Sequence, residues 1–298
     1  MTTENLRGRR ILITGATDGI GRHTATALAG LGADVTIVGR DERRGEDAAR
    51  AVAGATGNRD VRFRAADLSA QAGVRRLAHD LTATGDPLDV LVNNVGGLYT
   101  RRWETVDGIE ASLAVNALNP LLLTQLLRPA LGAAPAARVV YVTGGMPGRI
   151  SIDDLQNTRD YLGIRAYSHA KTVMMALARE QASRMSDSGV TVNVCYPGAA
   201  DTPMTRAMTP ATVPWAMRVI WPLFRPVMSR ATPQRAARSS VHLATAAGLH
   251  GVTGIYVNKN GKPVAWPRIV RDDAVRRDVW NAAEQLTGLA DGSLHPQP

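Results

Sequence analysis

Short apolar, β-branched runs alternate along the chain with stretches whose apolar residues recur every three or four positions. RRILIT (Arg9–Thr14), DVTIVG (Asp34–Gly39), VRFRA (Val61–Ala65), LDVLVNN (Leu88–Asn94), RVVYVT (Arg138–Thr143) and VTVNVCYP (Val190–Pro197) read as strands, with a short one near Gly254–Val257. Between them, Ile20–Leu31, Glu42–Ala53, Val74–Thr82, Gly108–Leu131, Ile164–Met185, Pro233–Ala247 and Asp272–Thr287 carry helical spacing. Strands that are apolar throughout are buried on both faces. Their alternation with helices predicts a doubly wound α/β fold, a parallel sheet of about seven strands with helices on both faces. No internal repeat or long linker interrupts the pattern. One domain is expected over residues 1–292, with an insertion at 203–232 and a loose tail at 293–298.

Composition narrows this picture little. The chain has 298 residues, 45% hydrophobic and 20% charged, as soluble globular proteins do. Cys195 is the only cysteine, so no intrachain disulfide can form and a reducing, cytoplasmic setting is expected. The apolar run before Thr14 is too short for a secretory signal, and no window reaches the length of a membrane span. The net charge of +9 could suit nucleic acid, but Lys171, Lys259 and Lys262 are the only lysines and the arginines are scattered. No nucleic-acid partner and no metal are expected. Some of the positive charge can instead serve an anionic cofactor.

The first strand runs into TGATDGIGR (Thr14–Arg22) and then a helix. In that setting Gly15 permits a tight turn, Gly19 lets backbone approach a pyrophosphate, and Gly21 allows the helix to pack on the strand. The phosphates would meet the positive end of the helix. The second strand ends at Arg40, where an acid would bind an unmodified ribose; a guanidinium there suits a 2′-phosphate, with Arg22 assisting. NADP(H) is therefore expected rather than NAD(H). Asp67, after the third strand, is placed to reach the adenine edge, and NNVG (Asn93–Gly96) closes the fourth strand where the cofactor would pass.

YSHAK places Tyr167 and Lys171 four residues apart, on one helix face. An ammonium beside a phenol stabilises the phenolate and lowers its pKa. Such a tyrosine can hand a proton to a carbonyl oxygen as hydride reaches carbon.

TGATDGIG, NNVG, Asn116, YSHAK and PGAADT (Pro197–Thr202) together resemble, in order and spacing, the short-chain dehydrogenases/reductases of single-domain, Rossmann type, over roughly residues 9–288. The spacer ISIDDLQNTRDY and the C-terminal third are similar to the retinol-dehydrogenase-like branch. The resemblance implies that Tyr167 is the general acid in reduction and Lys171 binds the nicotinamide ribose. It implies that Asn116 holds a water in the proton relay and that Pro197, Gly198 and Thr202 position the nicotinamide. Cofactor contacts would further include Thr17, Asp18, Ile20, Leu68, Asn93, Asn94 and Gly96. His169 faces away from the Tyr–Lys stripe and is read as structural or interfacial. A homo-oligomer, packed through the two long helices, is an expectation from the resemblance alone.

Two positions depart from the family pattern. Val95 stands where the family has alanine. Thr143 and Gly144 stand where it has two serines, so the hydroxyl that binds the substrate oxygen is missing. Three replacements are open: Thr143 turned inward, backbone N–H groups of Gly144 or Gly145, or a hydroxyl on the substrate itself. The insertion is rich in Met and Trp, which suits a bulky hydrophobic ligand, a lid packed on its own domain, or weak contact with a membrane surface. Tyr99 and Trp103 are candidates for the pocket's other wall. The expected function is an NADP(H)-dependent ketone reductase or alcohol dehydrogenase for a bulky hydrophobic or aromatic polycyclic substrate, polyketide-like, steroid-like or retinoid-like. The rival is a non-catalytic NADP(H)-binding sensor or scaffold.

Overall fold

A computed structural model of the protein describes residues 5–206, 208 and 231–289. The insertion's Trp215, Met217, Ile220, Trp221, Leu223, Phe224 and Met228, and the tail at 293–298, lie outside the described residues.

The β-branched runs form seven parallel strands: β1 (Arg10–Thr14), β2 (Asp34–Gly39), β3 (Val61–Ala65), β4 (Val90–Asn93), β5 (Arg138–Val142), β6 (Thr191–Cys195) and β7 (Tyr256–Val257). They lie in the order β3-β2-β1-β4-β5-β6-β7. The order reverses between β1 and β4, whose registers pair Ile11 with Val90 and Ile13 with Val92. That reversal opens a crevice at the carboxyl ends of these two strands, where ligands bind in such sheets. The central strands β4, β5 and β6 are buried at every residue, as their apolar sequences require. By contrast β3 is a half-exposed edge strand, which its alternating Arg62 and Arg64 foretell.

Helices cover both faces. The helices α1 (Gly19–Gly30) and α2 (Glu42–Thr56) follow β1 and β2, and α3 (Gln71–Thr82) follows β3. After β4 come α4 (Ala111–Leu113), α5 (Asn119–Leu126) and α6 (Arg128–Gly132); after β5 comes the long α7 (Gly163–Arg184). The short α8 (Pro203–Arg206) follows β6, then α9 (Pro233–Thr245), α10 (Arg268–Arg271) and α11 (Asp273–Thr287). Two apolar clusters flank the sheet. One joins Ile11, Ile13, Ile37 and Val92 to Leu28, Val52 and Leu243; the other joins Leu12, Leu91 and Val139 to Leu118, Val173 and Val279.

The expected continuous helix over residues 108–131 is broken. A π-helical turn, Ala114–Leu118, separates α4 from α5. The fully buried Glu110 starts this region by accepting from the backbone N–H of Ser112 (2.7 Å) and Leu113 (2.9 Å). Wide turns of this kind re-aim a side chain within a helix. Here the residue in the turn is Asn116.

Candidate active site

The glycine loop after β1 is folded around close backbone contacts. Gly15 has φ +63°, and a Cβ on it would stand 2.9 Å from the Val95 Cα. A Cβ on Gly21 would meet the Gly15 carbonyl oxygen at 2.5 Å and collide with the Asn94 amide. Asn94 explains that crowding: its Nδ2 donates to the carbonyls of Thr14 and Gly15, each at 3.0 Å. The Thr14 hydroxyl accepts from the backbone N–H of Asn94 and Val95, each at 3.1 Å. The ends of β1 and β4 are thus locked together beneath the crevice. Val95 is accommodated as a partly buried residue packed against the core. From the other side, Thr202 brings its methyl within 3.1 Å of where a Gly19 Cβ would lie, so the loop after β6 closes over the start of α1. Gly198, at φ +82°, makes the turn that leads there.

Other expected contacts are distributed unevenly. Asp18 caps α1 by accepting from the Gly19 N–H at 2.6 Å, and Ile20 is half-buried in that helix's first turn. The Thr17 methyl packs over Gly39 at the end of β2. Arg40 is exposed at the same end. Asp67 is exposed and turns on itself, taking hydrogen bonds from the Ser69 N–H (3.0 Å) and hydroxyl (2.7 Å). Leu68 is buried, with its carbonyl accepting from Asn119 Nδ2 at 2.9 Å. Asn93 does not face the crevice: it is buried and its Nδ2 donates to the Thr124 hydroxyl at 2.9 Å, on the α5 side.

Arg44 was not singled out from the sequence. Its guanidinium stands 3.8 Å from Asp18, whose other oxygen is 3.9 Å from Arg22, so Arg22 and Arg44 gather at one carboxylate near the end of β2. The run DERR (Asp41–Arg44) was the available signal, since a helix starting after β2 must bring its first turn there. Glycines with no room for a side chain, a helix N-terminus and this arginine group fit a phosphorylated dinucleotide.

Asn116 and Lys171 meet at Gly96, and the Tyr167 hydroxyl stands at Gly144, past the end of β5. Asn116 Nδ2 donates to the carbonyls of Gly97 and Ser112, each at 2.9 Å, and its Oδ1 accepts from the Gly97 N–H at 3.1 Å. The carboxamide therefore clamps the loop that follows β4. Lys171 Nζ donates to the Val142 carbonyl at 3.1 Å, at the end of β5. A Cβ on the exposed Gly96 would stand 3.0 Å from Asn116 Oδ1 and 3.4 Å from Lys171 Nζ. Gly96 thus leaves an open space bounded by amide and amine.

The electrostatics correct one expectation. Burial pushes the Lys171 ammonium down to about 8, against a weaker upward pull from Cys195. Burial pushes the Tyr167 phenol above its ordinary value, and the nearby Tyr196 phenol adds to the rise. The net shift of Tyr167 is upward, opposite to the acidification expected from Lys171. A phenol held neutral is a proton donor at neutral pH, not a base. Tyr196, one residue before Pro197, is a second residue that motif reading passed over.

His169 is buried and turned away from the crevice. Its Nε2 accepts from the Ser151 N–H at 3.3 Å and its Nδ1 lies 3.3 Å from Asn157 Nδ2. It ties the spacer before α7 to that helix, the structural part expected of it. Tyr99 and Trp103 pack edge to face, with ring centroids 5.4 Å apart. Burial pushes the Tyr99 phenol up to about 12, opposed by the positive charge of Arg40.

A doubly wound sheet whose switch-point crevice holds a glycine cradle on one side and a Tyr–Lys pair on the other defines a dinucleotide-dependent oxidoreductase fold. The short chain dehydrogenase family profile matches residues 9–212. Retinol dehydrogenase 13 of Homo sapiens is 32% identical over 294 residues, covering 98% of this chain and 88% of that protein. Polyprenol dehydrogenase of Mus musculus is 36% identical over 301 residues, covering 96% and 85%. Among solved structures, the complex of Pseudomonas aeruginosa RhlG with NADP at its active site superposes with a TM-score of 0.67, at 29% identity over 88% of this chain and 98% of that one. The chain belongs to the short-chain dehydrogenase/reductase family, in its retinol-dehydrogenase-like branch. No helix among the described residues is long and apolar enough to cross a membrane.

Proposed function

We propose that this protein is an NADP(H)-dependent reductase of ketones on bulky hydrophobic or aromatic polycyclic molecules, and the corresponding alcohol dehydrogenase in reverse. The observation that supports the reading is the meeting of Lys171 and Asn116 at Gly96, with Lys171 Nζ 3.1 Å from the Val142 carbonyl and the Tyr167 hydroxyl at Gly144, past the end of the same strand. The cofactor supplies hydride when bound. Gly15, Gly19 and Gly21 admit its pyrophosphate to the α1 N-terminus, and Arg40, with Arg22 and Arg44, holds the 2′-phosphate. Thr202 and the Pro197–Gly198 turn would hold its nicotinamide end. Lys171 donates to the ribose, and Tyr167 gives its proton to the carbonyl oxygen as that oxygen gains charge.

A hydrophobic carbonyl or alcohol accords with relatives named for retinol and polyprenol. With glycine at 144, the substrate itself supplies a second donor: a hydroxyl next to the ketone. A single dinucleotide-binding and catalytic domain over residues 1–292 with a substrate lid at 203–232, a cytoplasmic location and self-association belong to the same reading.

The test is NADPH consumption across a panel of aromatic and polycyclic ketones, wild type against Tyr167→Phe. We expect turnover on at least one ketone, lost by about 10²–10⁴-fold in the variant, and faster reduction of a hydroxy-ketone than of its methyl ether. NADPH binding with no turnover across the panel would mean a sensor or scaffold instead. Equal rates on the hydroxy-ketone and its ether would remove the substrate-hydroxyl idea alone.

A further inference from the structure

Gly144 has no backbone reason to be glycine. Its φ lies outside the left-handed region, unlike that of its neighbour Gly145 at +70°. Its φ does not demand glycine. What excludes a side chain is one atom: a Cβ on Gly144 would collide with the Tyr167 hydroxyl oxygen. The next ring atom, Tyr167 Cζ, would lie at 3.4 Å, an ordinary contact. The conflict is therefore with the phenolic oxygen and not with the ring.

The loop cannot easily step aside. Before Gly144, the Thr143 N–H donates to the Cys195 carbonyl at 2.9 Å. After it, the Gly148 N–H donates to the Thr172 hydroxyl at 2.7 Å. Between these anchors the loop lies on the catalytic helix: a Cβ on Gly145 would be 3.3 Å from Ser168 Oγ and 3.3 Å from Tyr167 Cε1, and one on Gly148 would be 3.2 Å from the His169 nitrogen. With both ends tied and the middle in contact, an added side chain at 144 must be relieved by moving the phenol.

We infer that Gly144 is a positioning residue that vacates the space the Tyr167 hydroxyl occupies, so that this site works with one side-chain donor by construction. The family's serine is not merely absent: its place is filled by the proton donor. The inference rests on Tyr167 being that donor. It carries an unusual consequence, that restoring serine at 144 displaces the acid instead of adding a second hydroxyl.

A double-mutant cycle on thermal stability tests the contact without any substrate. Gly144→Ala should lower the melting temperature by roughly 3–6 °C in the wild-type background. In the Tyr167→Phe background, where the colliding oxygen is gone, it should cost less than about half of that. An equal loss in both backgrounds, including failure of both to fold, overturns the inference. A folded Gly144→Ala only in the Tyr167→Phe background supports it. On a ketone the wild type reduces, Gly144→Ser should lower kcat by about 10²-fold or more while the NADPH dissociation constant stays within about threefold. A serine variant as fast as wild type or faster overturns it. Should no ketone be turned over, the proposed function fails and the thermal cycle still decides the contact.

Discussion

Two glycine-rich loops follow two strands of the same sheet, and they use glycine for different reasons. In TGATDGIG after β1, Gly15 and Gly19 have φ of +63° and +55°, and the crowding at Gly15 and Gly21 comes largely from backbone and from the Asn94 amide. In TGGMPG after β5, Gly145 is the turn residue, while Gly144 answers to a single side-chain oxygen. The first loop is shaped to admit a ligand's phosphates. The second is shaped around the Tyr167 hydroxyl, the acid of the proposed mechanism. A glycine motif thus means one thing where backbone must approach a ligand and another where it must make room for a catalytic group.

The sharpest way to break this contrast is to add one methyl to each loop. Gly21→Ala places a carbon 2.5 Å from the Gly15 carbonyl oxygen. We expect NADPH affinity to fall on the order of a hundredfold or more and stability to drop by about 1–3 kcal/mol. Fluorescence titration and thermal melts check both. Gly144→Ala should leave affinity nearly intact, so matched losses of NADPH binding in the two variants would erase the distinction.

A smaller effect sharpens the cofactor side. Arg40→Ala removes the guanidinium at the end of β2. Charge-assisted hydrogen bonds to phosphate are worth about 1.5–3 kcal/mol, so NADPH affinity should fall roughly 10–100-fold with little change for NADH. If both cofactors weaken equally, Arg40 does not read the 2′-phosphate, and Arg22 or Arg44 becomes the residue to change.

On the catalytic side, the smallest expected effect is a pH limb. Burial favours the neutral Lys171 amine and lowers its pKa to about 8 in the folded chain. In the proposed mechanism, the ammonium that would donate to the ribose is therefore lost as pH rises through about 8. Measured on free enzyme, kcat/KM for NADPH should decline by about tenfold per pH unit above that point. Lys171→Arg, which keeps its charge, should flatten the limb. The same amine remains protonated longer in the unfolded chain, so this group favours folding as pH rises from about 8 toward its unfolded value. Its titration therefore predicts lost activity without lost stability.

Several residues read from motifs landed where spacing put them. Tyr167 and Lys171 share a helix face because four residues make about one turn, and Gly15 and Gly21 are bound to the strand–helix junction. Asn93 did not, because one residue along a strand reverses the face: Asn94 meets the glycine loop while Asn93 is buried against Thr124. The π turn at Ala114–Leu118 also went unread, since its apolar periodicity hardly differs from that of an α-helix. Arg44 and Tyr196 were missed although each lies near a named residue, because no motif marks them: Arg44 meets Asp18 only through the fold, and Tyr196 acts on Tyr167 from just past the end of β6.

By itself the sequence determined the alternation of strands and helices, the parallel sheet and the residue types that can bind a dinucleotide and donate a proton. Those follow from local periodicity and from chemistry carried within short motifs. Only the tertiary structure decided that the Tyr167 proton is held by burial, that Lys171 is drawn toward its neutral form, and that Gly144 yields its place to a phenol. Each depends on which atoms from distant segments exclude water or occupy the same few ångströms, and that proximity is settled by packing.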